Sequence, residues 1–459
     1  MATLYFGNGK YVGDEFNGKP HGTGTFYGDD GNQYQGEWYK GKMQGNGTLF
    51  MSDGSQYQGE WYDGKMYGTG TMYYSNDEVY HGDFENNKPD GYGTFKFANG
   101  DKYVGDVSRG KISGEGTFYY KNGNKYEGEF EDNLRNGRGT FYYSDGSKYD
   151  GSWLNGKWHG RGVYTFKSGK RYEGDFNNDK MTGNARIYFT NGDKYVGKVL
   201  DGYMHGDGVL YYESGDKYDG SFKNNLRHGW GIYNYHKSGN VYEGHWMHGK
   251  WHGLGVYTFK SGKRYEGDFN NDKMTGNAEI YFPNGDKYVG EAIDGYMHGM
   301  GTLTFADGRR YVGNFKNDKF DGMGNMTYAD GSTYVGQYRN SEKNGGGVYT
   351  LANGNKYDGM YKGGLRNGLG TFTWKDGRQF FGFWKDGYRC GYGTMSYPNG
   401  DKFYCQWDGE DATGNGKYTW SGGEYFEGRF EKGEPVGVGK YYLTDGTVEI
   451  GKFNKSRFS

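Results

Sequence analysis

Cysteine is nearly missing from this 459-residue chain: only Cys390 and Cys405 are present. Two are too few for a disulfide framework, and a reducing compartment is the easier reading. No apolar run approaches the roughly 20 residues of a membrane-spanning helix, and the start, Met1-Ala2-Thr3-Leu4-Tyr5, lacks the basic and apolar regions of a secretion signal. An excess of charge is missing too. Basic residues number 55 and acidic ones 57, interspersed, and a net charge of −2 gives no electrostatic case for nucleic acid. These absences point to a soluble, cytosolic protein. Aliphatic residues are scarce, and 91 glycines give a profile close to that of a disordered chain. The aromatic content argues the other way. Fifty tyrosines, 29 phenylalanines and 11 tryptophans are present, and each ring can bury about 150–250 Å². The core is expected to be aromatic.

The aromatics recur at a fixed interval. Tyr-x-Gly appears at Tyr11, Tyr34, Tyr57, Tyr80, Tyr103, Tyr126, Tyr149, Tyr172, Tyr195 and Tyr218, in steps of 23 residues. One extra residue enters near His236, and the series resumes at Tyr242, Tyr265, Tyr288, Tyr311, Tyr334 and Tyr357. It decays through Phe380, Phe403, Phe426 and Glu449. Such a period marks an array whose units bury surface against their neighbours. The expectation is one continuous array over residues 1–459, with about twenty repeats.

With the tyrosine as position 1, Lys125-Tyr126-Glu127-Gly128-Glu129-Phe130 alternates between two faces, as a half-buried strand does. Trp38, Trp61, Phe84, Trp153, Phe176, Phe222, Trp246, Phe269 and Phe315 repeat the role of Phe130 at position 5. A second strand follows Gly-x-Gly, as in Gly139-Thr140-Phe141-Tyr142-Tyr143, with positions 16 and 18 apolar or aromatic. Asp53-Gly54, Asn99-Gly100, Asn122-Gly123, Asp145-Gly146 and their equivalents suit two-residue type I′ turns between consecutive repeats. Asn155-Gly156 followed by Gly160-x-Gly162 suggests a longer turn at the other end, with glycines where the chain must bend or bulge. Glycine at position 3 is mid-strand, and a ring lying over its bare backbone explains it. The expected fold is all-β: a single-layer antiparallel meander without helices, about 10 Å of ribbon per repeat, curled into an aromatic-lined trough. Its lining would be Trp38, Trp61, Tyr126, Phe130, Trp153, Phe176, Tyr218, Phe222, Trp246 and Phe269.

Chemistry-bearing patterns dissolve into this background. None of the Gly-x-Gly copies opens a helix after a buried strand, as nucleotide binding requires. His245, His248 and His252 lie close in sequence, but His252 occupies position 11, which also holds His21, His159, His205, His228 and His298 as turn residues. No metal, cofactor or catalytic set is expected. Acids at positions 2 and 4 read as the solvated face. Position 10 is more individual. It carries Met43, Met66, Pro89, Ile112, Arg135, Trp158, Met181, Met204, Arg227, Trp251, Met274, Met297 and Phe320, then turns basic at Lys343, Arg366 and Arg389. These side chains either fold back onto the next hairpin or form an apolar edge that binds a partner. On the second reading Trp158, Trp251, Met181, Met204, Met274, Met297 and Phe320 are the binding residues, the two tryptophans its anchors. The order Arg, Trp, Met, Met occurs twice, and Gly156-Lys157-Trp158-His159-Gly160 recurs as Gly249-Lys250-Trp251-His252-Gly253, an offset of 93 residues. A meander also leaves a free edge strand at each end, which invites pairing with a second copy or a partner. Lys452, Lys455 and Arg457 make the last edge basic.

The fourteen residues Tyr126 to Gly139 are similar to the signature of the MORN (membrane occupation and recognition nexus) repeat, and Tyr34 to Gly47 fit equally well. The resemblance covers nearly the whole chain. Departures fall at Ala185 and Ala278 in the second glycine of Gly-x-Gly, at Cys405 in the position-3 slot, and at Phe16, one place late. The resemblance implies a non-enzymatic scaffold of a ciliary assembly, such as a radial spoke or the central pair of an axoneme, or of another cytoskeletal structure. It implies protein partners, including a helix or peptide in the groove, and self-association through the ends. Two other classes stand beside it. A peripheral adaptor binding phosphoinositides would need clustered basic charge. A secreted glycan- or choline-binding repeat protein would use aromatic cages.

Overall fold

A computed structural model describes residues 1–452 of the chain; Lys455 and Arg457 lie outside the described residues. Two compact units divide the chain, Met1–Leu226 and Arg227–Ser459. The described residues contain strands and turns and no helix, so none is long and apolar enough to cross a membrane.

Each unit is an open antiparallel meander in which a strand pairs with the strands before and after it in sequence. One repeat shows how the residues dictate this. Lys148–Leu154 pairs with Lys157–Thr165, and Lys157–Thr165 then pairs with Arg171–Asn177 of the next repeat. Tyr149 faces Tyr164 and Gly151 faces Gly162 across the first pair, and Trp153 faces Trp158 beyond a register shift at Ser152. That shift is a β-bulge. It leaves the Ser152 carbonyl outside the ladder, and the Tyr149 hydroxyl donates to it at 2.9 Å. The same bond recurs from Tyr57 to Glu60, Tyr126 to Glu129 and Tyr311 to Asn314. The indole of Trp153 donates to the Gly139 carbonyl at 3.0 Å, as Trp61 does to Gly47 and Trp384 to Gly370. Both large side chains therefore bring a polar tip that satisfies a buried carbonyl.

The position-1 ring crosses its own position-3 glycine and rests on the glycine opposite. A Cβ at Gly162 would stand 2.6 Å from the Tyr149 hydroxyl oxygen and 2.7 Å from Cε2. The glycines are thus fixed by a ring, as expected, with the tightest contact on the second strand at position 14. At Ala185 and Ala278, where that glycine is replaced, the pairing is kept: Gly174 faces Ala185 and Phe176 faces Met181, as Gly267 faces Ala278 and Phe269 faces Met274.

The two kinds of turn are exchanged relative to the sequence expectation. Asn155 and Gly156 both have positive φ, 50° and 80°, with Leu154 opposite Lys157. This is the two-residue type I′ hairpin, and it lies within a repeat. Asn86–Asn87, Asp132–Asn133 and Asp201–Gly202 do the same. The Asx-Gly turns between repeats are three-residue turns with only the glycine at positive φ. In one, the Gly100 amide donates to the Phe97 carbonyl at 2.9 Å and the Phe97 amide to Asp101 at 3.0 Å. That is a type I turn closed by a glycine bulge. The Asx side chain has another task there, since Asn99 accepts the Asp101 amide at 2.8 Å. Near His236 the Gly239 amide reaches back to the Tyr235 carbonyl at 2.8 Å, so the extra residue is absorbed in one longer turn.

The first repeat is preceded by a strand the period did not announce. Ala2–Phe6 pairs with Gly9–Phe16 and, among the described residues, with no other strand. In the second unit Val448–Lys452 pairs with Glu434–Tyr442 alone among the described residues. Phe16, one place late, is exposed, and Glu15 takes its place opposite Pro20.

Candidate functional site

One face of each unit carries positions 1, 5, 10, 16 and 18. Positions 1 and 5 make its floor. Tyr126 meets Phe130 at 5.0 Å and Trp153 of the next repeat at 5.2 Å, both edge to face. Tyr149 repeats the pattern with Trp153 and Phe176. Edge-to-face pairs are favoured by the ring quadrupole, so each tyrosine locks two repeats together. Trp38, Trp61, Tyr126, Phe130, Trp153, Phe176, Tyr218, Phe222, Trp246 and Phe269, expected to line a trough, are all buried. They support the surface that a partner would meet.

That surface is built by positions 10, 16 and 18. In the first unit Phe95, Phe97, Phe118, Tyr120, Phe141, Tyr143, Tyr164 and Phe166 form an unbroken run of ring contacts, each between 4.5 and 6.1 Å. Most of these rings are half-buried. Position 10 enters the same face beside them. Trp158 stacks on Tyr149 at 4.9 Å and meets Phe176 edge-on at 5.7 Å. Trp251 does the same with Tyr242 at 4.8 Å and Phe269 at 5.8 Å. Both tryptophans are half-buried, as are Met181, Met274 and Phe320, while Met204 and Met297 are buried. Phe320 stacks on Tyr311 at 3.8 Å. The duplicated segments thus yield two congruent aromatic stations, one in each unit.

Where position 10 is arginine, the guanidinium lies on a ring of the next repeat. Arg135 sits 4.3 Å over Trp153 and donates to the Gly156 carbonyl at 2.8 Å. Arg227 matches it over Trp246 and at Gly249. Further along the second unit, Lys343, Arg366 and Arg389 share a groove of about 500 Å³ with Tyr361, Trp384 and Tyr388. Arg389 is nearly fully buried and ion-pairs with Glu410 at 2.7 Å. Lys343 lies 4.1 Å over Tyr349, and burial pulls its ammonium down to about 8. The buried phenols shift the other way for the same reason. Tyr288, Tyr334 and Tyr357 are pushed up to about 12 by the loss of water around the phenolate.

Two sets of polar residues act in ways the sequence pattern did not reveal. Acids at position 4 close the bulge: Glu129 accepts the Arg138 amide at 2.8 Å, and Asp106 accepts that of Glu115 at 2.9 Å. They are structural groups on the outer face. The second residue of the type I′ turn stitches neighbouring repeats, as Asp179 accepts the Trp158 amide at 2.8 Å and Asp272 the Trp251 amide at 2.9 Å. A hydrogen-bond acceptor at position 8, two residues before position 10 of its own repeat, was the available signal. Among the described residues no three His, Cys, Asp or Glu side chains converge as metal ligands would. What the face can do is bind. It offers ring surfaces, thioethers and a few cations in fixed register.

The profile of the MORN repeat matches nineteen successive segments, from residues 11–33 through 126–148, 149–171 and 242–264 to 426–448. No curated protein matches the chain. Among solved structures it is similar to the TCP domain of Drosophila melanogaster SAS-4 in complex with a proline-rich motif of Ana2, with 18% identity, 35% of this chain and 89% of that chain covered, and a TM-score of 0.23. It is similar also to the TCP10 domain of Danio rerio CPAP, with 13% identity, 63% and 99% covered and a TM-score of 0.15. For virginiamycin B lyase of Staphylococcus aureus the values are 11%, 59%, 85% and 0.11.

Proposed function

This chain belongs to the MORN-repeat family, and from that premise we propose that it is a non-enzymatic scaffold of a ciliary or other cytoskeletal assembly that captures protein partners on its aromatic face. The observation that supports this most is the half-buried strip of rings at positions 10, 16 and 18, held on a floor of buried tyrosines. Half-exposed aromatic side chains on a rigid base are the side chains that dominate protein interfaces. The rigid base also lowers the entropic cost of binding, because its rings are already ordered. Family membership is what supports the cytoskeletal setting. The test is to tag the full chain, localise it, and identify what purifies with it. Capture of axonemal or other cytoskeletal proteins is expected. Replacing Trp158 and Trp251 by alanine should reduce that capture by more than tenfold, on the scale of about 2 kcal/mol per interface anchor, while circular dichroism stays that of the parent. A diffuse distribution with an unchanged partner set would sink the reading.

A further inference from the structure

Three consecutive position-10 cations line the groove of the second unit, and among the described residues the last of them has an acidic partner. Arg389 is met by Glu410, the second residue of the two-residue turn one repeat on. Arg389 is almost fully buried, with 5% of its side chain exposed, and the Glu410 side chain reaches it from solvent, 95% exposed. Lys343 and Arg366 hold the same position in their repeats, are half-buried rather than buried, and lack the acid. The residues equivalent to Glu410 are Gly364 and Gly387, whose amides bond the Lys343 and Arg366 carbonyls and which carry no side chain. Among the described residues neither cation meets a carboxylate or donates a hydrogen bond. Their company is aromatic: Lys343 faces Tyr328, Tyr334, Tyr349 and Tyr361, and Arg366 lies 4.6 Å over Trp384. A half-buried cation between rings and without a counter-ion costs free energy that an incoming anion recovers.

We propose that Lys343 and Arg366 seat two carboxylates of an acidic segment of a partner protein, which lies in the groove as Glu410 lies on Arg389. The two cations are one repeat apart, roughly 10 Å at two strand spacings. The segment therefore carries acids about seven residues apart on a helix, or about three apart when extended, with apolar side chains between them for the rings. This rests on the scaffold reading only in taking the ligand to be a protein. It concerns a different patch from Trp158 and Trp251, so it can fail or hold independently of where the chain resides in the cell.

The full chain would be titrated with fluorescent synthetic peptides in which two glutamates flank leucine and phenylalanine at either spacing. Parallel titrations would use the same peptides with glutamine, inorganic phosphate, and vesicles of phosphatidylcholine with phosphatidylserine. Saturable binding of one glutamate peptide is expected, weakened more than tenfold in its glutamine form. The Lys343→Met/Arg366→Met variant should fold, because methionine occupies position 10 in repeats such as those of Met66 and Met204, and it should lose the binding. The Lys343→Arg variant should keep it. In the parent, affinity should fall as pH rises through about 8, where Lys343 loses its proton, and Lys343→Arg should flatten that profile. Equal binding of glutamate and glutamine peptides would overturn the proposal. So would retention by the double methionine variant, or binding confined to phosphate or to vesicles.

Discussion

At the scale of single residues the position-1 tyrosine does three things at once. It fills the floor, covers the facing glycine, and donates its hydroxyl to the carbonyl that the bulge sets free. The hydroxyl contribution is about 1 kcal/mol per bond. The chain itself shows where it can be spared, since Phe380 and Phe426 hold the slot in the last repeats, each buried to within 1%. The buried phenols also set a pH limit. Their folded values are raised, so the stability they contribute is fully present below about 10, the value for an unfolded tyrosine. It is lost as pH climbs from there towards the folded values, about 12 for Tyr288, Tyr334 and Tyr357. Tyrosinate absorbance and circular dichroism should accordingly change together in a steep step above pH 10; gradual ionisation with the fold intact would contradict this.

At the scale of elements the strands were legible in the sequence and the turns were not. Strict alternation in Lys125–Phe130 and the apolar pair at positions 16 and 18 fix two strands and their inner face, because side chains in a strand have a period of two. Asn-Gly is ambiguous. The dipeptide serves a type I′ turn, but it serves equally a type I turn with a glycine bulge, where the asparagine is wanted for its side chain. Only the φ angles separate the two. Asn99→Gly should therefore cost about 1 kcal/mol, through the lost side-chain bond to the Asp101 amide. Asn155→Gly, at a position that already has a φ of 50°, should be neutral within a few tenths. Equal losses in thermal melts would show that the turn types are wrongly assigned. The candidate site was half legible for a similar reason. Position 10 stood out by its variety, and the glycines of Gly160-x-Gly162 marked the bulge beside it, where Gly160 has a φ of 61°, but residue types alone left open whether position 10 folds back onto the next hairpin. Trp158 faces Trp153 across a bulge that sets His159, Gly160 and Arg161 opposite Ser152 alone. The missing acid opposite Lys343 and Arg366 was hidden among glycines that look like ordinary turn formers.

For the molecule as a whole, what is repeated is a pattern of local satisfaction. Each repeat meets its hydrogen bonds with its immediate neighbours, which leaves the terminal strands as the places where that pattern stops. Among the described residues Ala2–Phe6 has one free edge, and Tyr5 on it is 79% exposed. Unpaired edges recruit other strands. Light scattering should show the mass rising with concentration for the parent and staying at one chain for a Thr3→Lys/Tyr5→Lys variant; a concentration-independent parent would count against association through this end. The longer turn between Tyr235 and Asn240 has a different consequence. One residue more was accommodated there with Tyr233 still opposite Tyr242 on the far side of the loop. Lengthening at these junctions therefore leaves the rungs on either side aligned, so heredity can add or drop copies and tolerate imprecise joints between them. A lineage can in this way revise the number and order of its aromatic stations while inheriting the chemistry of each one unchanged.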